Sequence, residues 1–209
     1  MRKLILSMHM SLDGFVASPN KDMSWMQTDN DEEWEGLFAM VKNMDLFLLG
    51  RGMWKEYRDY WTKAFTGPGF SENEVKYAKL AVKKKHLIFS KTLKQTGWEN
   101  AEVISGDLKK TVTKLKQQPG KDIQVVGGAR FAGSLIDSGL IDEYRLLIEP
   151  VILAKGISFF SKLVNRHRLE IKDVKKQQNG VVVVRYVQMD TSNTEGVKPG
   201  KKKVVSKKT

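Results

Sequence analysis

The stretch "QVVGGARFAGSLIDSGLIDE", residues 124–143, decides the fold. It completes "DIQVVGG" (122–128), an apolar run with the character of a strand covered on both faces, and "ARFAGSLIDSG" (129–139) behind it reads as a helix. Gly127 and Gly128 stand at the hand-over. Glycine there permits a tight turn and close helix packing, which alone explains the pair. A second reading stands beside it. Glycine lets a ligand approach the main chain, while the free N–H groups and positive dipole of a helix N-terminus attract phosphate. In open α/β sheets ligands settle at the carboxyl ends of strands, where these two glycines are expected.

The flanking sequence repeats the strand-then-helix grammar. "RKLILSMHMS" (2–11) alternates as a strand does, and "SLDGFVASPNKDMSW" (11–25) reads as a long loop carrying Gly14 and Pro19. "DEEWEGLFAMVKNM" (31–44) spaces Trp34, Leu37, Phe38, Val41 and Met44 as a helix, with acids in its first turn where the dipole favours them. "DLFLLGR" (45–51) is a second buried strand, followed by a helix-like stretch with Met53, Trp54, Tyr57 and Trp61, and then by the loop "TGPGF" (66–70). Ser71 and Glu74 make a capping box for the helix "SENEVKYAKLAVKKK". "HLIFS" (86–90) and "AEVIS" (101–105) are short strands, and an amphipathic helix from Asp107 carries Leu108, Val112 and Leu115 up to Pro119–Gly120. "DEYRLLIEPVIL" (142–153) reads as a long strand. "RLEIKDVKKQQ", Asn179–Gly180 and "VVVVRYVQ" then form a hairpin, with Asn-Gly supplying the positive φ values of a two-residue turn. Alternating strands and helices predict an α/β sheet with helices on both faces, closed by an antiparallel pair.

Composition narrows the chemistry. The 209 residues suit one medium domain, and 41% apolar against 29% charged residues favours a globular chain over a disordered one. There is no cysteine, which removes disulfide frameworks, thiolate nucleophiles and zinc ribbons; cytosol is the expected compartment. Ser7, His9 and Asp13 interrupt the N-terminal apolar stretch before it makes a signal core, and no run approaches the ~20 apolar residues of a membrane span. The formal charge is +12, but six lysines fall in "VKPGKKKVVSKKT" from Val197, so half of the excess sits in a basic tail. Residues 190–209 are expected to be a disordered extension of a domain covering 1–189, with contact to RNA or a membrane surface as the other reading of the tail.

Several reaction types lack their machinery. "GRGMWK" at Gly50 and "GPGFSE" at Gly67 begin like G-x-G-x-x-G but miss the last glycine, and no P-loop occurs. There is no G-x-S-x-G turn, no cysteine nucleophile and no carboxylate or H-x-x-x-H cluster at metal spacing, so no metal is expected. His9, His86 and His167 are scattered and read as structural or solvent-facing. What remains is chemistry performed by a bound cofactor.

Together, "SLDGFVA" (11–17), "LLGRGMW" (48–54), "IFSKTL" (88–93) and "VVGGARFAGSLIDSGLIDEYRLLIEPVIL" (125–153) resemble, in order and spacing, the dihydrofolate-reductase-like superfamily. Within it the chain is similar to the reductase domain at the C-terminus of bifunctional riboflavin-biosynthesis proteins, over residues 2–188. The resemblance implies a three-layer αβα sandwich with a dihydrofolate-reductase-like mixed central sheet and a C-terminal antiparallel hairpin. It also implies NADPH-dependent reduction of a small pterin-like or ribosylaminopyrimidine-like heterocycle. The dinucleotide pyrophosphate would rest on Gly127, Gly128, Ala129, Arg130 and Phe131. The family's G-R-x-T turn maps to Gly50, Arg51, Gly52 and Met53, with methionine in place of threonine. Ser90 and Lys91 match the segment that meets the adenosine 2′-phosphate, which favours NADPH over NADH. Asp13 would orient substrate or relay a proton, or else serve as a plain turn residue; Trp25 would wall the pocket near the nicotinamide; Glu32 is a weaker acid candidate. Riboflavin-pathway reductases often carry glutamate before the two glycines, and Val126 stands there instead. The sequence holds no H-x-E with P-C-x-x-C deaminase signature, so a stand-alone reductase is expected. The alternatives are a non-catalytic nucleotide- or RNA-binding module and a structural homodimer, with self-association through the apolar C-terminal hairpin; nucleic acid is otherwise not expected as a partner.

Overall fold

A computed structural model describes residues 1–28 and 30–189 of the chain. The lysine-rich tail and the expected boundary at 189/190 therefore lie outside the described residues. Among the described residues ten strands and five helices follow in the order β1 (Leu4–Ser11), β2 (Phe15–Ala17), α1 (Asp31–Lys42), β3 (Met44–Gly50), α2 (Trp54–Thr66), α3 (Glu72–Ala81), β4 (Lys85–Phe89), β5 (Ala101–Ile104), α4 (Leu108–Gln117), β6 (Asp122–Gly127), α5 (Ala129–Asp137), β7 (Glu143–Glu149), β8 (Ile157–Ser158), β9 (Leu169–Lys176) and β10 (Val182–Gln188).

Eight strands form one sheet in the order β5-β4-β3-β6-β1-β7-β10-β9. The first six are parallel, and β10 and β9 close the edge as an antiparallel pair. Side chains alternate across each strand, so β3 sends Leu46 and Leu48 to one face and Phe47 and Leu49 to the other, all buried. On the first face Leu4, Leu6, Ile123 and Val125 pack with Val112 of α4 and Ala132, Leu135 and Ile136 of α5. On the second, Ile5, Phe47, Leu49 and Ile88 pack with Phe38 and Val41 of α1, Tyr57 of α2 and Tyr77 of α3. The two cores separate three layers, which is the expected αβα sandwich.

Local chemistry sets the element ends. Asn30 caps α1 by accepting from the Glu32 amide (3.0 Å), Ser71 and Glu74 form the full capping box on α3, and Asp107 accepts from the Lys110 amide (2.6 Å) to start α4.

Three expectations need correction. Residues 11–25 are not wholly loop: Phe15–Ala17 pairs antiparallel with Ile157–Ser158 in a separate two-stranded sheet. The strand after α5 stops at Glu149, because Pro150 has no N–H to give to a ladder. The β9–β10 turn is not a two-residue Asn-Gly turn. The Gly180 amide donates to the Gln177 carbonyl (3.1 Å) and the Gln177 amide to Val181 (2.9 Å), with positive φ at Gly180 (+90°) but not at Asn179. This is a three-residue loop in which a left-handed glycine follows an ordinary turn.

β3 and β6 are neighbours whose chains leave in opposite directions, β3 into α2 on one face and β6 into α5 on the other. That divergence makes the carboxyl ends of β3 and β6 the topological switch point, the place at which ligands of open α/β sheets bind.

Candidate functional site

The glycines at the switch point are close-packed by necessity. A Cβ on Gly50, at the end of β3, would stand 2.6 Å from Phe131 Cβ; one on Gly127 would stand 2.9 Å from Met53 Sδ and 3.4 Å from Met8 Cε. Gly127 (φ +142°) and Gly128 (φ +89°) also hold backbone conformations that disfavour a side chain. Gly128 is the N-cap of α5 and offers no side-chain cap, so the first amides of the helix point outward from the glycine turn. Among the described residues no acceptor takes the N–H of Gly128, Ala129, Arg130 or Phe131.

Cations follow the neighbouring strand ends and the helix start. Arg51 follows β3, Lys91 follows β4 and Arg130 lies in the first turn of α5; all three are exposed and, among the described residues, none forms an ion pair. The Phe89 and Phe131 rings stack at 5.1 Å and the Arg51 amide donates to the Phe89 carbonyl (3.3 Å), which draws the three strand ends together. Ser90 is buried, and its hydroxyl accepts from the amides of Thr92 (3.2 Å) and Leu93 (2.9 Å), so it shapes the turn that carries Lys91. Gly50, Met53, Gly127, Gly128 and Phe131 thus meet directly, with Arg51, Ser90, Lys91, Ala129 and Arg130 around them.

Asp13 and Trp25 lie elsewhere, on the rim beyond β1. The Asp13 carboxylate accepts from Ser11 Oγ (2.7 Å) and from the amides of Leu153 (3.1 Å) and Ala154 (2.8 Å). These bonds, Ser11 first, hold its pKa below the ordinary value. Asp13 therefore fastens the loop after β1 to the loop after β7. Trp25 is half-buried on the first of these loops, its indole N–H donating to the Asp22 carbonyl (3.2 Å). Glu32 pairs with Lys175 of β9 (2.5 Å).

Sequence reasoning passed over the group beside Glu32. His9 of β1 is clamped between Glu149 at the end of β7 (Nδ1 to Oε1, 2.8 Å) and Glu33 in the first turn of α1 (Nε2 to Oε1, 3.1 Å). Glu149 is fully buried and its other oxygen accepts from the Gln27 amide (3.2 Å); Glu33 Oε2 is buried without a partner among the described residues. Burial alone would lower the His9 pKa, but hydrogen bonds to Glu149 and Glu33 and their charges outweigh it and raise it to about 9. The chain offered one signal for this cluster: an acid, Glu149, closing the apolar run "YRLLIEP".

With this geometry in view, a profile of the RibD C-terminal domain matches residues 2–183. The chain belongs to the RibD C-terminal domain family. The uncharacterized protein YyaP of Bacillus subtilis (strain 168) is 32% identical over 185 residues, covering 88% of this chain and 94% of that protein. Among solved structures, a Shewanella sp. PV-4 protein superposes with a TM-score of 0.71 at 17% identity, covering 90% of this chain and 99% of that one. A Thermotoga maritima diaminohydroxyphosphoribosylaminopyrimidine deaminase/5-amino-6-(5-phosphoribosylamino)uracil reductase gives 0.64 at 16% identity, covering 90% of this chain and 57% of the larger enzyme. Such identities show a common fold, and RibD-like proteins share it.

Proposed function

We propose that the protein is an NADPH-dependent reductase of a small pterin-like or ribosylaminopyrimidine-like heterocycle. The observation that carries the reading is the set of unpaired amides from Gly128 to Phe131 at the switch point of the sheet, with Arg51 after β3, Lys91 after β4 and Arg130 in the first turn of α5 exposed and, among the described residues, without an ion pair. A dinucleotide fits such a cradle: its pyrophosphate takes the amides at the positive end of α5 and the charge of Arg130, with Gly50, Arg51 and Met53 on the facing wall. Lys91, beside the turn built by Ser90, suits the extra phosphate of NADPH. When bound, the cofactor supplies a hydride, and the chain supplies orientation and the accompanying proton. Trp25 and the rim fastened by Asp13 bound the substrate side.

The direct test is NADPH titration by fluorescence or calorimetry, with turnover of 5-amino-6-(5-phosphoribosylamino)uracil and dihydrofolate followed by NADPH absorbance. Absence of binding at millimolar NADPH rejects the reading. Gly128→Asp adds bulk and negative charge at the helix start and is expected to weaken NADPH binding about tenfold or more. Arg51→Ala, which leaves the turn intact, should weaken it by a smaller factor.

A further inference from the structure

The segment from Pro150 to Leu169 contains no acid and four fixed cations, Lys155, Lys162, Arg166 and Arg168. All four are exposed and, among the described residues, none forms an ion pair. The fold fixes where this segment runs. β8 pairs with β2, Phe159 is buried in the core, and Leu163 Cδ2 lies 3.7 Å from the position of a Cβ on Gly133 of α5. Asp137, the last residue of α5, accepts from the amides of Val164 (3.1 and 3.2 Å) and Asn165 (3.1 Å), and its carboxylate stands 3.6 Å from His167 Nε2. The segment therefore follows α5 toward the end opposite the glycine turn.

Phe159, Leu163 and His167 turn inward in this arrangement, whereas Phe160 is 40% exposed and Val164 87%. A single apolar side chain in water is ordinary, but these two stand among Lys162, Arg166 and Arg168. The acids nearby are engaged already: Asp137 as above, Asp13 by the Leu153 and Ala154 amides, and Glu170 by Lys172 (2.6 Å). The chain also leaves the described residues here, because the Met189 amide donates to the Arg168 carbonyl (3.1 Å). Past Asp190 and Glu195 its sequence holds six lysines, from Lys198 to Lys208, and no further acid.

We propose that this surface docks on an anionic lipid bilayer. Lys162, Arg166 and Arg168, joined by the lysines of the tail, meet the headgroup charges, and Phe160 and Val164 enter the boundary between headgroups and acyl chains. Charge selects the class of partner. A second copy of the chain, related by a two-fold axis, would set these cations against themselves. RNA would answer the charge, but its binding surfaces gain from stacked aromatic rings, and Phe160 is the one aromatic ring that the segment exposes. Val164 would stay in water on such a partner. A bilayer takes both kinds of side chain at once, and the two signals together hold where each alone attaches weakly.

The test is flotation of the full chain with vesicles of phosphatidylcholine containing about one-third phosphatidylserine, against vesicles of phosphatidylcholine alone. The protein should float with the first and not with the second, and high salt should release it by screening the charges. Val164→Asp, and Lys162→Glu combined with Arg166→Glu, should each weaken partitioning about tenfold. Melting temperature should stay unchanged in both, since all three side chains are exposed. Replacing the six tail lysines by glutamine should weaken partitioning without abolishing it. Equal flotation with both vesicles, or flotation with neither, overturns the proposal. Wild-type flotation of Val164→Asp, with all binding lost in the tail variant, would assign the contact to the tail alone and overturn the docking surface. Retention of polyuridylate by a protein that floats with neither vesicle would mean a nucleic-acid surface instead.

Discussion

Gly50 and Gly36 occupy regular elements for different reasons, and alanine separates them. At Gly50 the new Cβ would lie 2.6 Å from the Cβ of Phe131, an atom fixed to the α5 backbone, so the helix start must move away from β3. Gly50→Ala is expected to cost about 2 kcal/mol in chemical denaturation and to weaken NADPH binding together with stability. At Gly36, on the exposed side of α1, a Cβ would meet nothing within 4 Å, and helix propensity alone governs. Gly36→Ala should stabilise by about 0.5–1 kcal/mol. Equal effects at the two sites would remove the close approach of α5 to β3 as the reason for Gly50. The double glycine was legible in the sequence because its backbone requirement is local. The His9 cluster was not, because its three members are separated by 24 and 116 residues and meet only once α1 packs on β1 and β7.

At the scale of elements, the loops after β1 and β7 behave as one unit. The Leu12 amide donates to Val151 (2.9 Å), the Phe159 amide to Gly14 (3.0 Å), β2 pairs with β8, and the Asp13 carboxylate gathers Leu153 and Ala154. Asp13→Ala deletes the last of these links and leaves two amides without an acceptor. Hydrogen exchange should speed up at Leu153 and Ala154 while the amides within β7 keep their protection, and unchanged exchange at both would remove Asp13 as the fastener. Strands and helices themselves were legible from period and caps, as Ser71–Glu74 illustrates. This rim was not: β2 and β8 have three and two residues, too short for alternation to register, and each exists only because the other lies opposite. The β9–β10 turn escaped for a related reason, since Asn-Gly is compatible with more than one loop length, and Gly180 alone takes the positive φ.

Across the whole molecule, two histidines set opposite limits on the pH range of stability. His86 is fully buried on the α2–α3 face, its ring 4.1 Å from that of Trp98, 5.2 Å from Phe47 and 5.7 Å from Tyr57, with neither ring nitrogen partnered among the described residues. Burial pushes its pKa down from 6.5 to about 4. Between those values the unfolded chain binds the proton and the folded one does not, so stability present above pH 6.5 is lost as pH falls toward 4. His9 works in the other direction. With its pKa raised from 6.5 to about 9, the folded state holds the extra proton, and stability present below pH 6.5 is lost as pH rises through 9. Each limb is worth on the order of 3 kcal/mol, enough to govern a domain whose net stability is roughly 5–15 kcal/mol. Melting temperature should therefore peak near pH 6.5 and decline on both sides. In His86→Leu the acid decline should flatten, and in His9→Gln the decline between pH 6.5 and about 9 should disappear, whatever each substitution does to the height of the maximum. A wild-type melting temperature constant from pH 7 to 9.5 would mean that Glu33 and Glu149 do not hold His9 charged in the folded protein.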